Sequence, residues 1–171
     1  MIDLSDLRWQ AKRVGGASEP DLTAVLAQLE AGLAKLGPVP GTGLRLGVVY
    51  VYSPREADRP PEGGRVVFKQ QATEVRRPCW SCYKACTHCQ ASTGSRGGLG
   101  RDNPIASDLL ELARGDAFDW AVVVSSDLGL IPVVRYLQSH GRKIIHGRFP
   151  PVAVDLTKEC WASIDLIGAS P

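Results

Sequence analysis

The sequence has no apolar run approaching the ~20 residues that a membrane-spanning helix needs. It does not open on a basic flank followed by an apolar core, so no secretory leader is expected and a reducing, cytoplasmic location follows. Charge of one sign is not in excess either. The 20 Lys and Arg against 18 Asp and Glu leave +2, too little on its own to demand a polyanionic partner. The glycine-rich pieces Gly41–Gly43 and Gly94–Gly100 lack the Gly-Lys-Ser/Thr ending of a phosphate loop at a helix start. Ser125 and Ser126 have no elbow glycines around them, and His140 and His146 have no companions at ligand spacing. No internal repeat is present. What remains is a 171-residue chain, 44% apolar and 22% charged, the make-up of one globular domain over residues 1–171 with a substantial core.

Apolar periodicity predicts alternating strands and helices. Trp120 to Val124 is a valine-rich run suited to a strand buried on both faces. Ser125-Ser126-Asp127 breaks it, and Leu130, Val133, Val134 and Leu137 then recur at helical spacing, with Gly141 as a left-handed stop before Ile144-Ile145. Asp127 is therefore expected where a parallel strand gives way to a helix, the edge at which ligands of open α/β sheets gather. Upstream, Ser18 is expected to cap a helix with Pro20 in its first turn and a stripe of Leu22, Val25, Leu26, Leu29, Leu33 and Leu36. Leu46–Tyr52, Arg65–Phe68 and Ala72–Val75 read as strands. Pro104 opens a helix bearing Ile105, Leu109 and Leu112 and closed by Gly115. Val152–Val154 reads as a short strand, followed by a closing helix from Leu156 to Ile167. For the opening residues, a strand ending at Asp3 is expected. Its rival is a helix over Asp6–Gln10 capped by Ser5, with Asp3 exposed. The fold class is α/β, with a mostly parallel central sheet and helices on both faces.

Residues of about 76–100 form a cysteine-rich insertion. Cys79-Trp80-Ser81-Cys82 and Cys86-Thr87-His88-Cys89 are two C-x-x-C hooks three residues apart. Such hooks present four thiolates to one tetrahedral Zn²⁺, so a compact structural zinc knuckle is expected, with His88 able to replace one thiolate. Two rivals stand beside it: an iron–sulfur cluster on Cys82, Cys86 and Cys89, and disulfides, which a reducing location disfavours. Arg76, Arg77, Trp80, Tyr83, Lys84 and Arg101 mix cations with aromatic faces, a composition that suits single-stranded RNA. Packing of those aromatics under the knuckle is the plainer reading. Cys160 is read as a small buried apolar residue on the last helix.

The order of these pieces resembles the NYN domain, a branch of the PIN-like ribonuclease superfamily. Members open with a strand ending in Asp-x-x-Asn-Leu, where this chain has Ile2-Asp3-Leu4-Ser5-Asp6-Leu7. A Val-Tyr strand follows, as in Val48–Tyr52, then a cysteine insertion and a segment matched by Arg101-Asp102 and Ser107-Asp108-Leu109-Leu110. Phe118-Asp119, the strand Ala121–Val124 and Ser125-Ser126-Asp127-Leu128-Gly129-Leu130 stand where the family has Phe-Asp, a strand and Ser-Gly-Asp-Ser-Asp-Phe. Pro132–Leu137 and Gly141–Ile145 complete the match, which covers nearly the whole chain and is strongest from Asp102 to Ile145.

The resemblance implies a PIN-like three-layer fold with an inserted zinc knuckle, and metal-dependent hydrolysis of RNA, probed best on single strands. Asp3, Asp102, Asp108 and Asp127 would be the catalytic acids, with Asp6 auxiliary, and Asp3, Asp102 and Asp127 would hold Mg²⁺ or Mn²⁺. Hard cations prefer such oxygen donors. On spacing alone, aspartates at strand–helix junctions are also ordinary caps. Two positions depart from the family. Asp6 replaces its asparagine, which keeps an oxygen ligand, and Gly129 replaces its second aspartate, which removes an acid. That loss raises an alternative function: a catalytically silent RNA- or protein-binding module stabilised by zinc.

Overall fold

Short runs of β-branched residues form the centre of this molecule because both of their faces are buried. The computed structural model describes residues 1–14, 20–36, 44–60, 65–71 and 103–166. Six strands lie within them: β1 (Ile2–Asp3), β2 (Val49–Ser53), β3 (Val66–Gln70), β4 (Trp120–Val123), β5 (Lys143–Arg148) and β6 (Ala162–Asp165). They make two three-stranded parallel sheets, β1-β2-β3 and β4-β5-β6. A parallel bridge from Ile2 to Val124 joins the two, with Asp3 N donating to Val124 O at 3.1 Å and Val124 N to Met1 O at 2.9 Å. The order across the molecule is therefore β3-β2-β1-β4-β5-β6, which reverses between β1 and β4.

Among the described residues, five α-helices cover this surface: α1 (Leu4–Arg13), α2 (Leu22–Leu36), α3 (Pro104–Arg114), α4 (Ile131–Ser139) and α5 (Val154–Glu159). Adjacent strand residues point to opposite faces. Val51, Val124 and Ile145 meet Leu7 of α1 and Val25, Leu29 and Leu33 of α2. Their neighbours Tyr52, Val123 and Ile144 meet Ile105 and Leu109 of α3, Val134 and Leu137 of α4, and Leu156 of α5. Burial on both sides is why these strands read as apolar runs with no polar alternation. Among the described residues, no helix is long and apolar enough to cross a membrane.

Helix ends follow local chemistry. Asn103 caps α3, its side chain accepting from the amides of Ile105 and Ala106, with Pro104 in the first turn. Gly141 takes φ +83° beyond α4, as expected for a left-handed stop. The start of α2 differs from the sequence reading. It begins at Leu22, where the Asp21 carboxylate accepts from Thr23 N at 2.9 Å, so Asp21 caps it and Pro20 precedes it; Ser18 lies outside the described residues. β2 begins at Val49, three positions later than expected.

The largest correction is at the far end. The expected strand at 152–154 and helix at 156–167 are instead the six-residue α5 and the strand β6. Ile164 and Leu166 are buried while Ser163 and Asp165 are exposed, a period of two that only a strand satisfies. Cys160 follows α5 as its C-cap, and its thiol is pushed up to about 12 chiefly by burial.

α2 reaches the sheet through a missing side chain. A Cβ on Gly32 would stand 2.5 to 2.9 Å from three carbons of Ile164. Gly32→Ala is therefore expected to lower the melting temperature. Overpacking costs ~1–3 kcal/mol, more than the ~1 kcal/mol that alanine adds to an isolated helix. Thermal denaturation by circular dichroism reads the sign, and a rise would mean that Ile164 repacks freely.

Candidate active site

Parallel strands all end at the same edge, so the first residues after each strand share one rim. β1 ends at Asp3, and the chain leaving β4 passes through Ser125, Ser126 and Asp127. α1 leaves toward one face of the sheet and α4 toward the other. The strand order reverses between β1 and β4, which is the usual ligand position in open α/β sheets.

Three acids meet there. Asp3 caps α1, its Oδ1 accepting from Asp6 N at 3.1 Å. It is half-buried, and burial is the main reason its carboxyl is raised above the usual range; the negative charges of Asp6 and Asp127 add to it against the backbone donors of Asp6 and Ser5. The strand reading of the opening residues therefore holds for Ile2–Asp3, and the helix begins directly after it with Asp3, not Ser5, as the cap. Asp127 is oriented by two donors: Gly129 N at 2.8 Å on Oδ1 and Asn103 Nδ2 at 2.7 Å on Oδ2. Asp6 serves as a brace. It accepts from the amide and hydroxyl of Ser126 and from Gln10 Nε2, the last at 2.7 Å. Gln10 is fully buried, and its Oε1 accepts from Phe149 N at 3.2 Å, which ties α1 to the end of β5.

Asp108 has a different setting from the other acids. Its Oδ2 accepts from Tyr52 OH at 2.6 Å and pairs with Lys69 Nζ at 2.7 Å. Burial first, and then Asp108, push the Tyr52 phenol upward. Arg8 is paired with Asp58 at 2.6 Å and holds that carboxyl below the usual range. Among the described residues, the cations of this rim thus go to Asp58 and Asp108, and none pairs with Asp3, Asp6 or Asp127. Asp102, Arg101, Arg76, Arg77, Trp80, Tyr83, Lys84 and the four cysteines Cys79, Cys82, Cys86 and Cys89 lie outside the described residues. Asp119 stands at the opposite end of β4, where it binds Arg142.

The donor set suits a hard cation. Mg²⁺ takes one or two carboxylates and fills its remaining positions with water and phosphate oxygens. Asp3 and Asp127 supply that many, and no cation of the described residues pairs with either. Among the described residues, no three His, Cys, Asp or Glu side chains gather at metal-ligand spacing, so these two acids do not by themselves form a full protein cage. At Gly129, a Cβ would stand 3.1 Å from Asp127 Oδ1. The glycine thus keeps that side of Asp127 open and gives it an amide donor in place of a second acid.

His146 was not expected in the site. It is buried in β5, with Nε2 2.9 Å from Ser125 O and Nδ1 2.8 Å from Thr157 Oγ1. A carbonyl accepts only, so Nε2 carries the proton. The imidazole supports the turn that presents Asp127, and its position was readable from the two-residue period it shares with Ile144. Burial, mainly, holds its pKa below the usual 6.5. A depressed base makes the unfolded chain the better proton acceptor, so stability is full above pH 6.5 and is lost as pH falls through the folded pKa. His146→Gln, which keeps one donor and one acceptor, is expected to flatten that acid limb in urea titrations run at several pH values. An unchanged limb would show that other groups cause it.

No family model matches the chain, and no curated protein or solved structure matches it.

Proposed function

We propose that this chain is a divalent-cation-dependent ribonuclease of NYN, PIN-like type. The carrying observation is that Asp3 and Asp127 flank the reversal of strand order, the charge of Asp127 adding to the raised Asp3 carboxyl, with no cation of the described residues paired to either. In this reading Asp3 and Asp127 would hold Mg²⁺ or Mn²⁺, and Asp102, whose neighbour Asn103 hydrogen-bonds Asp127, would join them. Such an ion, when bound, activates water and offsets charge on a phosphodiester. The protein's own part is orientation. Asn103 and Gly129 N fix the Asp127 carboxylate, Asp6 and His146 hold the turn behind it, and Lys69 pairs with Asp108 on α3. The three-layer PIN-like arrangement belongs to the same proposal. So do a structural Zn²⁺ on Cys79, Cys82, Cys86 and Cys89 and a cytoplasmic location, where thiolates stay reduced.

A second reading is favoured by Gly129 and Asp6: one acid is missing and another is spent on Ser126. It makes the chain a silent RNA-binding module. End-labelled single-stranded RNA incubated with Mn²⁺ separates the two. Wild type is expected to cut and Asp127→Asn to cut at least ~100-fold more slowly. Equal failure of both, with RNA still bound, would leave the module.

A further inference from the structure

α1 carries a second feature along the side that bears Asp6. Arg13 follows Asp6 by seven positions, two turns and about 10 Å along the axis. Trp9 lies between them, with the Arg13 guanidinium 5.3 Å from its ring centroid. The loop after β5 forms the opposite wall. Phe149 is pinned to Gln10, and Pro151, Val152 and Ala153 beyond it face Trp9, Arg13 and Val14 across an open concavity of about 430 Å³. Lys12 and Arg13 make no ion pair with any carboxylate among the described residues. An indole, an aliphatic wall and the Arg13 guanidinium, which pairs with no carboxylate of the described residues, thus share one groove.

We propose that this groove binds one nucleotide of single-stranded RNA beside the acidic rim, an inference that rests on the ribonuclease reading. The base stacks in the Trp9–Pro151 part of the groove, and the phosphate meets Arg13. The groove has what a strand needs next to a cutting site: a sequence-tolerant aromatic surface and a cation for the backbone. A proline-rich peptide would use the same apolar surfaces and would not need the charge of Arg13.

The test is fluorescence anisotropy of a fluorescein-labelled oligouridylate in EDTA, so that binding is read without cleavage, alongside cleavage rates in Mn²⁺. Arg13→Gln is expected to weaken binding roughly tenfold and to reduce the salt slope by about 0.7, the value for one phosphate contact on a single strand. Trp9→Leu, which keeps apolar volume, is expected to weaken it at least ~5-fold with the slope unchanged. In cleavage both raise KM and leave kcat alone. Lys35→Gln on α2 makes the same charge change elsewhere. Losses no greater than in Lys35→Gln, or an octaproline peptide displacing the oligonucleotide, would overturn the proposal. Should Trp9→Leu not fold, Arg13→Gln decides alone. Wild-type cleavage with binding intact in the variants removes the groove and leaves the nuclease. No wild-type cleavage, with binding lost in both variants, removes the nuclease and leaves an RNA groove.

Discussion

An Asp3→Asn variant is expected to melt at a higher temperature than wild type at neutral pH while cutting RNA at least ~100-fold more slowly. The two effects share a cause. Asparagine caps a helix as well as aspartate does, so the bond from Asp6 N to the side chain survives the change. What disappears is a charge that the fold accommodates poorly, half-buried and facing Asp6 and Asp127. Because the folded pKa is raised, the cost exists only where Asp3 is ionised. It is full at neutral pH and vanishes as pH falls through the folded pKa, where wild type takes up a proton. The melting curves of the two proteins should therefore converge toward acid. Groups that bind or transform ligands commonly hold such unfavourable charges, and relieving them stabilises the protein at the expense of function. Added Mn²⁺ should raise the wild-type midpoint and leave the variant's unmoved, since a ligand stabilises only the state that binds it. A variant that melts lower at pH 7, or that still cuts, would remove Asp3 from the site.

Asp6→Ala is expected to be the most destabilising single change at this rim. The carboxylate accepts three hydrogen bonds, two from Ser126 and one from Gln10. Bonds to a charged acceptor contribute about 1.5–3 kcal/mol each, and donors left unpaired add their own cost. Partial rehydration of the exposed side offsets some of this, so a net loss of about 3 kcal/mol is expected, seen as a lower urea midpoint at constant m. At this chain length that is a fall of roughly 6–12 °C in Tm. Asp6→Asn can keep its amide oxygen on Ser126 N and Gln10 Nε2, which share one oxygen of Asp6, and turn its amide toward Ser126 Oγ, which then accepts, so less than half the loss is expected. In the proposed ribonuclease Asp6 is thus a positioning residue. Its removal should lower cleavage by loosening the Asp127 turn, with activity partly recovered in the asparagine variant. A midpoint unchanged in Asp6→Ala would mean the brace carries no load.

Much of this was legible in the sequence, for local reasons. The valine run ending in Ser125-Ser126-Asp127 placed Asp127 at a strand's carboxyl end, and helical spacing found the buried positions of α2, α3 and α4. Asp3 was legible as the end of a strand, though not as the cap of α1, because a two-residue strand followed at once by a helix gives neither period room to show. β6 was missed because α5 contributes one buried residue, Leu156, and the alternation from Ala162 to Leu166 is too short to stand out from a helical stripe. The partners of Asp108 lie on β2 and β3, more than thirty positions upstream. Sequence spacing carries no trace of that meeting, so an acid expected at the catalytic centre is found paired to Lys69. His146 was set aside for want of ligand companions, yet its partners are a carbonyl and a hydroxyl, which leave no ligand-like pattern. Asp102 and the cysteine hooks fall outside the described residues and keep the standing the sequence gives them.

The seam between β1 and β4 has a mechanical consequence. Among the described residues, the strands of the β1–β3 half are laddered to those of the β4–β6 half only at the bridge from Ile2 to Val124, and side chains carry the rest of the join. Asp3 stands on one bank of that joint and Asp127 on the other. In the proposed ribonuclease, a cation held between these two acids would offset their repulsion across the joint. Metal binding there would then raise the stability of the whole sheet, as a ligand of the folded state does.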